Sequence, residues 1–307
     1  MNGNGGTKGT LVGVCLGFAS LLFTGCMCHN ISYKVFTTTT PRCSDHQGTY
    51  CSSIHDVHTP ADLGGILLIE YSAGSCTFVT NGIPNHDIND GSTAFSNTPA
   101  AVSREFTVTN APAAAPAPTP LSVDRYSAIL LNGAIVDLFA DGCCDGGVDV
   151  LVGCDPKAPW RLDPMSPEAG YHIDTHNAHC QADGTYHYHG PPSGLYVYPS
   201  KTVSPVIGFA ADGFPIRGPY FEDSTGVIRE AVSSWQSIST ARPAGDCPVG
   251  TTRDGKYIDD YQYVAGSGDL DQCNGMVVKG QYAYFVTSTY PYIMGCFTGT
   301  PDPSFSK

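Results

Sequence analysis

The sequence predicts a mainly β fold: a single, disulfide-rich, β-sandwich-like domain with an internal motif repeat and little helix. Only 14% of the 307 residues are charged, whereas 35 are glycine and 23 are proline. This composition is typical of many turns and short strands rather than of long amphipathic helices. A chain of this length can hold two domains, but one β core commonly extends over about 200–250 residues.

Short apolar runs bounded by turn residues supply the predicted strands. Examples are residues 65–71, 127–131 and 206–210, each of strand length. Asn-Gly and Asp-Gly pairs after such runs, as at Asn132 and Asp212, indicate hairpin turns. Residues 225–237 are the best candidate for a short helix.

Residues 1–28 predict an export signal. One cation, Lys8, precedes an apolar run over residues 11–23, which has the length of a signal-peptide core and is shorter than a membrane span. Residues 22–26 resemble a bacterial lipobox, so a lipid anchor at Cys26 is an alternative to simple cleavage near Asn30. Both alternatives predict a secreted or cell-surface protein with no transmembrane span in the mature chain.

The 13 cysteines are expected to form disulfides, because thiols pair in an oxidising compartment. Cleavage after Cys28 leaves ten, an even number. Cys143 and Cys144 are adjacent and need two different partners, which the sequence does not assign. The candidate partners are Cys154, Cys180, Cys247, Cys273 and Cys296.

Two segments outside the main β pattern suggest surface roles. Residues 29–62 begin as a Thr-rich extended arm that could add a strand to a neighbouring molecule in self-assembly. Residues 111–120 form a Pro/Ala loop that is not expected to join a sheet. Asn30 lies in an N-x-S pattern, and the Thr/Pro-rich stretches are candidates for O-linked glycans, although both segments also fit plain linkers. Residues 301–307 are a short tail.

The charge balance excludes one class of partner. The formal net charge is -13, and no Lys/Arg cluster occurs anywhere in the chain. The electrostatic attraction that dominates nucleic-acid binding is therefore missing, and we expect no nucleic-acid partner.

Half of the ten histidines lie between residues 172 and 189. In a strand, alternate side chains share a face, so His187 and His189 point to one side and the two intervening tyrosines to the other. A hairpin across the turn at Asp183 brings His176 and His179 alongside. A single histidine in a Tyr-rich loop is more often structural, but this clustering favours a metal site.

The predicted metal ligands are the four imidazoles of His176, His179, His187 and His189. The carboxylates of Asp174 and Asp212 are expected to orient the imidazoles or to replace one of them as a ligand. Such a site suits a divalent transition metal, copper or zinc, with nickel and iron(II) as further alternatives.

The histidine segment has a counterpart near the end of the chain. The segment beginning at Asp174 aligns with the one beginning at Asp271, and residues 186–189 (YHYH) align with residues 282–285 (YAYF). The shared Asp, Asn, Gly and Tyr positions indicate two related structural units. The histidines of the earlier unit are replaced in the later one, which indicates a scaffold with added chemistry.

Four ordered blocks carry a family resemblance: YHYHGPP from Tyr186, IGFAADGFPI from Ile207, LDQCNG from Leu270 and YPYIMGCFTG from Tyr290. Together they resemble the YHYH-motif protein family over about residues 63–300. The resemblance implies an extracellular, β-rich protein and no particular reaction. Arg217 stands where the family usually has Tyr.

The leading hypothesis is a secreted or cell-surface metal-binding protein. A structural, glycosylated subunit of an extracellular filament or surface layer is the first alternative. An extracellular metalloenzyme is the second, with three histidines holding the ion and leaving one position open. Since no known hydrolase or nucleotide-binding motif occurs, the sequence favours a binding protein over an enzyme.

Overall fold

A computed structural model describes residues 28–307. The predicted signal segment and the possible lipid anchor at Cys26 lie outside these residues, except for Cys28 itself. The described chain contains 3-10 helices at Cys43–His46, Pro167–Ala169, Ser193–Leu195, Ile258–Asp260 and Pro303–Phe305. Its strands are β1 (His29–Asn30), β2 (Gly48–Asp56), β3 (Ala61–Ser72), β4 (Ser75–Thr80), β5 (Arg104–Thr109), β6 (Ala114–Pro120), β7 (Ala128–Leu130), β8 (Ile135–Val136), β9 (Cys143–Asp145), β10 (Val148–Val150), β11 (Ala178–Cys180), β12 (Tyr186–Tyr188), β13 (Val206–Ala210), β14 (Pro215–Arg217), β15 (Tyr220–Glu222), β16 (Ile228–Glu230), β17 (Trp235–Ser237), β18 (Tyr261–Tyr263), β19 (Gly275–Val278), β20 (Gln281–Phe285) and β21 (Cys296–Gly299).

Two principal sheets enclose one core, which confirms the mainly β prediction. The first has the order β1-β2-β3-β4-β5, and the second has the order β11-β12-β8-β7-β13-β14-β20-β19. Four two-stranded sheets complete the fold. The alternating inner residues of the first sheet, such as Leu67 and Phe78, are buried against the second, where Phe78 meets Phe209 at 6.0 Å between ring centroids.

The eight-stranded sheet contains the sequence repeat as two related halves. Its central strands, β7 and β13, run antiparallel to one another, and each forms a tight hairpin with the next strand, β8 or β14. Each half then adds a parallel strand, β12 or β20, with an antiparallel partner at the sheet edge. The two related hairpins, β11–β12 and β19–β20, therefore lie at opposite ends of one sheet.

The same contacts build both hairpins. The Asp174 carboxylate accepts the Tyr186 hydroxyl at 2.8 Å and two backbone N–H groups of its own turn. In the later hairpin Asp271 accepts the Tyr282 hydroxyl at 3.0 Å and two equivalent N–H groups. The residues common to both copies are thus scaffold, as the sequence comparison predicts.

The prediction of a Pro/Ala loop at residues 111–120 is wrong for most of that segment. β6 pairs with β21, antiparallel, in a two-stranded sheet. Pro116, Pro118 and Pro120 occupy alternate positions of β6, so the N–H groups that they lack would all point to the same edge of the strand. The other edge faces β21, where Thr119 pairs with Phe297. The prediction of a helix over residues 225–237 is also wrong, because β16 and β17 occupy that stretch.

Five disulfides bind the described chain. The different partners required by Cys143 and Cys144 are Cys154 and Cys247, and the three remaining bridges are Cys28–Cys51, Cys43–Cys76 and Cys273–Cys296. Cys180, a predicted partner, is unpaired and buried, the only free thiol among the described cysteines. A cut after Cys28 removes one half of a bridge, whereas a cut before it keeps the bridge.

The segment that follows Cys28 packs against the β domain of the same chain. The backbone N–H of Phe36 donates to the Leu195 carbonyl, and the carbonyl of Thr38 accepts the N–H of Val206. β2, later in the same segment, pairs with β3 over nine residues. Assembly through this arm stays a prediction. No helix among residues 28–307 is long and apolar enough to cross a membrane.

Candidate metal centre

Three histidines converge at one end of the eight-stranded sheet. The Nε2 atom of His189 lies 3.0 Å from that of His187 and 3.0 Å from that of His179. The three ligand nitrogens all lie within 4.8 Å of one another. We call His179, His187 and His189 the histidine triad.

The hairpin explains this convergence. β11 pairs with β12 so that His179 stands directly opposite His187, while His189 follows two residues later on the same face. The Nδ1 of His187 contacts the Thr185 carbonyl at 3.2 Å. An Nδ1–H that donates to this carbonyl leaves the Nε2 lone pair of His187 free to bind an ion.

Burial keeps the triad neutral. His187 and His189 are each 2% exposed. Desolvation lowers the pKa of both well below the usual histidine range, and the nearby triad imidazoles and the Lys307 ammonium lower it further. Desolvation also lowers the pKa of His179 to about 4. The imidazoles are therefore in the form that binds metals at neutral pH.

The N···N separations fit a transition metal. Zinc binds imidazole nitrogen at about 2.0–2.1 Å, and two ligands in tetrahedral geometry are then about 3.3 Å apart. The two 3.0 Å separations need only small side-chain adjustments to reach that value. Three neutral imidazoles suit zinc or copper.

His176 lies outside the triad, contrary to the four-histidine prediction. It precedes β11 in the turn that Asp174 caps, where the alternation of a strand does not apply. Its Nδ1 contacts the Ser193 hydroxyl at 3.0 Å, and its ring stacks on that of His86 at 3.7 Å between centroids.

The two predicted carboxylates support tyrosines. Asp174 accepts the Tyr186 hydroxyl, and Tyr186 lies on the strand face opposite the histidines. Asp212 accepts the Tyr284 hydroxyl at 2.6 Å and the Gly299 N–H at 2.8 Å, in the other half of the sheet. The structure gives neither carboxylate a contact with a triad imidazole.

Tyr188, the second tyrosine of the earlier hairpin, makes a separate set of buried hydrogen-bond contacts. The Tyr188 hydroxyl lies 3.0 Å from Asn132 Nδ2 and 2.5 Å from His86 Nε2. Asn132 is the counterpart of Asp212, since each follows a central strand in a turn to glycine. Burial lowers the pKa of His86 to about 3, so this imidazole is neutral and structural.

An open cleft of about 650 Å³ reaches the triad. Besides the three histidines, its walls include Asp137, Lys307, Gln181 and Tyr171. Asp137 is 3% exposed, and burial raises the pKa of its carboxyl to about 6.

Sequence reasoning missed Asp137 and Lys307. Each is an isolated charged residue without a local pattern, far in sequence from the histidines. The sequence repeat is the signal that could have found Asp137. When the alignment of the two units is extended back from the YHYH segment to Asn132, Asp137 aligns with Arg217.

The fold and the site define a β-rich, disulfide-bonded protein with a buried histidine triad at the mouth of a cleft. A model of the family described as YHYH protein matches residues 105–299, which is more than half of the chain. The chain therefore belongs to the YHYH protein family, as the ordered motif blocks predict. No curated protein and no solved structure matches it significantly.

Proposed function

We propose that this protein is an extracellular metal-binding protein whose ion, zinc or copper, is held by the histidine triad. The observation that carries the proposal is that His189 Nε2 lies 3.0 Å from the Nε2 atoms of both His187 and His179, with all three ligand nitrogens within 4.8 Å of one another. His189 Nε2 carries either one N–H or one lone pair and so forms one good hydrogen bond with these two neighbours, whereas a bound cation would accept a lone pair from all three nitrogens.

The repeat gives independent support. In the later hairpin the triad positions are Met276, Ala283 and Phe285, and these side chains pack in an apolar cluster with Phe221 and Leu270. The scaffold thus accepts an ordinary apolar core at this place. Three buried imidazoles in the earlier copy require another reason, and metal binding supplies it.

The extracellular location accords with five disulfides in the described residues. It also accords with the export signal predicted for residues 1–28. The cytosol keeps most thiols reduced, so a chain bound by this many bridges is suited to an oxidising compartment.

Metal analysis of protein purified from the secreted fraction tests the proposal. We expect about one zinc or copper ion per chain after dialysis against metal-free buffer. Isothermal titration of metal-stripped protein should show a single site for Zn²⁺ or Cu²⁺. Absence of both bound metal and titratable binding refutes the proposal.

A further inference from the structure

Asp137 belongs to the same face of the sheet as the triad. β8 runs parallel to β12 with Ile135 beside His187 and Val136 beside Tyr188. Asp137 follows in register, and its N–H donates to the Tyr188 carbonyl at 3.0 Å. This register places its side chain on the histidine face, next to His189, where it lines the cleft.

The two oxygens of this carboxylate have different surroundings. Oδ2 accepts the Gln181 amide at 2.9 Å and the Lys307 ammonium at 2.5 Å. Oδ1 is buried and has no hydrogen-bond donor among the described residues. A buried acceptor without a donor costs about 1–3 kcal/mol, so a ligand of the cleft that donates a proton is favoured here.

The repeat associates Asp137 with the histidines. Its counterpart in the later half is Arg217. Arg217 pairs with Phe285 across β14 and β20, and Asp137 has the same position relative to His189. All four polar positions of the earlier face therefore differ in the later one, while both tyrosines and the aspartate that accepts the first of them persist. This joint replacement indicates that Asp137 and the triad form one functional unit.

We propose that the cleft beside the histidine triad is a hydrolytic site in which Asp137 accepts a proton from water bound to the ion. This inference depends on the metal binding proposed above. The triad supplies three ligands, and no other His, Cys, Asp or Glu of the described chain joins them within ligand distance. A three-histidine ion keeps its fourth position for water or substrate, as in catalytic zinc sites.

The hydrolysis is balanced as follows. An O–H bond of the bound water breaks, its proton moves to Asp137 Oδ1, and the oxygen lone pair forms a bond to the acyl carbon of the substrate while the carbonyl π pair moves to the carbonyl oxygen. The π bond then re-forms, the bond to the leaving group breaks with its electron pair going to that group, and the proton passes from Asp137 to it. The products are a carboxylic acid and an alcohol or amine, with no oxidant or reductant required.

The charges of the cleft favour an uncharged substrate. Asp124, Asp137 and Asp141 line it against one cation, Lys307, which Asp137 already binds. With a divalent ion on the triad, its two positive charges and Lys307 only offset the three carboxylates, so the cleft has no net positive charge to attract a phosphate ester. Exposed apolar side chains on the wall, Leu151 and Val152, suit the organic part of a neutral ester or amide.

The test compares zinc-loaded wild type with Asp137→Asn, using 4-nitrophenyl acetate as the probe ester and isothermal titration to measure zinc affinity. We expect Asp137→Asn to keep zinc affinity within about threefold while kcat falls by about 10²–10⁴-fold at similar KM, the usual contribution of a general base. Asp137→Glu, which keeps a carboxylate, should retain an intermediate kcat, and Asp137→Ser, which removes it, serves if the Asn variant does not fold.

Two results would overturn the inference while leaving metal binding intact. One is zinc-loaded wild type that hydrolyses the ester no faster than zinc-treated His187→Ala/His189→Phe protein. The other is wild-type kcat in Asp137→Asn or, if that variant does not fold, in Asp137→Ser. Failure of the wild type to bind zinc or copper instead removes the proposed function itself.

Discussion

Replacing His187 by Ala and His189 by Phe converts the earlier hairpin strand into the sequence of its counterpart, Tyr-Ala-Tyr-Phe. The fold should tolerate the change, because Ala283 and Phe285 are buried to 2% and 0% exposure on the same scaffold. The double variant therefore removes two imidazoles while it keeps the fold of the hairpin.

The expected loss of metal affinity is large. Structural zinc sites with four ligands bind with about 10–16 kcal/mol, or roughly 2.5–4 kcal/mol for each ligand. The variant keeps only His179 of the three triad imidazoles, so it loses several kcal/mol. Because about 1.4 kcal/mol corresponds to tenfold in affinity, we expect Kd for zinc to rise by at least about 10³-fold.

Isothermal titration of metal-stripped protein with Zn²⁺ and Cu²⁺ measures this change. His172→Ala is the matched control, since it removes an exposed histidine of the same sequence cluster that is not in the triad. Its affinity should equal that of the wild type. Equal affinity in the wild type and the double variant would show that the two histidines are structural and would refute the proposed site.

Four further outcomes follow from the structure. His176→Ala should leave zinc affinity unchanged within about threefold, because its ring contacts Ser193 rather than the triad; a loss comparable to that of the double variant restores the four-histidine site. Asp212→Ala should likewise leave zinc affinity unchanged while lowering the free energy of unfolding by about 1–3 kcal/mol, measured in urea, since three buried donors lose their acceptor. The metal-free wild type should lose stability as the pH falls from about 6.5 towards 4, because the unfolded chain protonates His179 while the folded pKa stays at about 4; a melting temperature that falls no more over this range than that of a His179→Met variant contradicts it. Replacing Cys144 and its partner by serine should cost about 2–5 kcal/mol by calorimetry, and an unchanged melting temperature excludes that bridge.

The sequence predicts the histidine face well because it depends on local geometry. Strand alternation puts His187 beside His189, and the Asp-Gly turn returns the chain so that His179 stands opposite. His176 escapes this reasoning. It lies before the strand, next to Asn177, whose φ of 67° marks a left-handed turn that no alternation rule describes.

Errors elsewhere have the same origin in long-range structure. Asp212 is predicted from its residue type to orient an imidazole or to replace one as a ligand, but the strand order puts it in the other half of the sheet. Asp137 becomes visible only through its register beside β12. The prolines of β6 suggested a loop, because composition does not show that they alternate with residues whose N–H groups face a partner strand.

The duplicated hairpin separates positions that hold the fold from positions that are free to change. The tyrosines and the aspartates Asp174 and Asp271 maintain both copies, whereas the opposite face carries imidazoles in one and apolar side chains in the other. Histidines introduced at Met276, Ala283 and Phe285 would therefore occupy a backbone already shaped for a triad. One sheet could then carry two ion sites, one at each end, whose ligands can be changed independently.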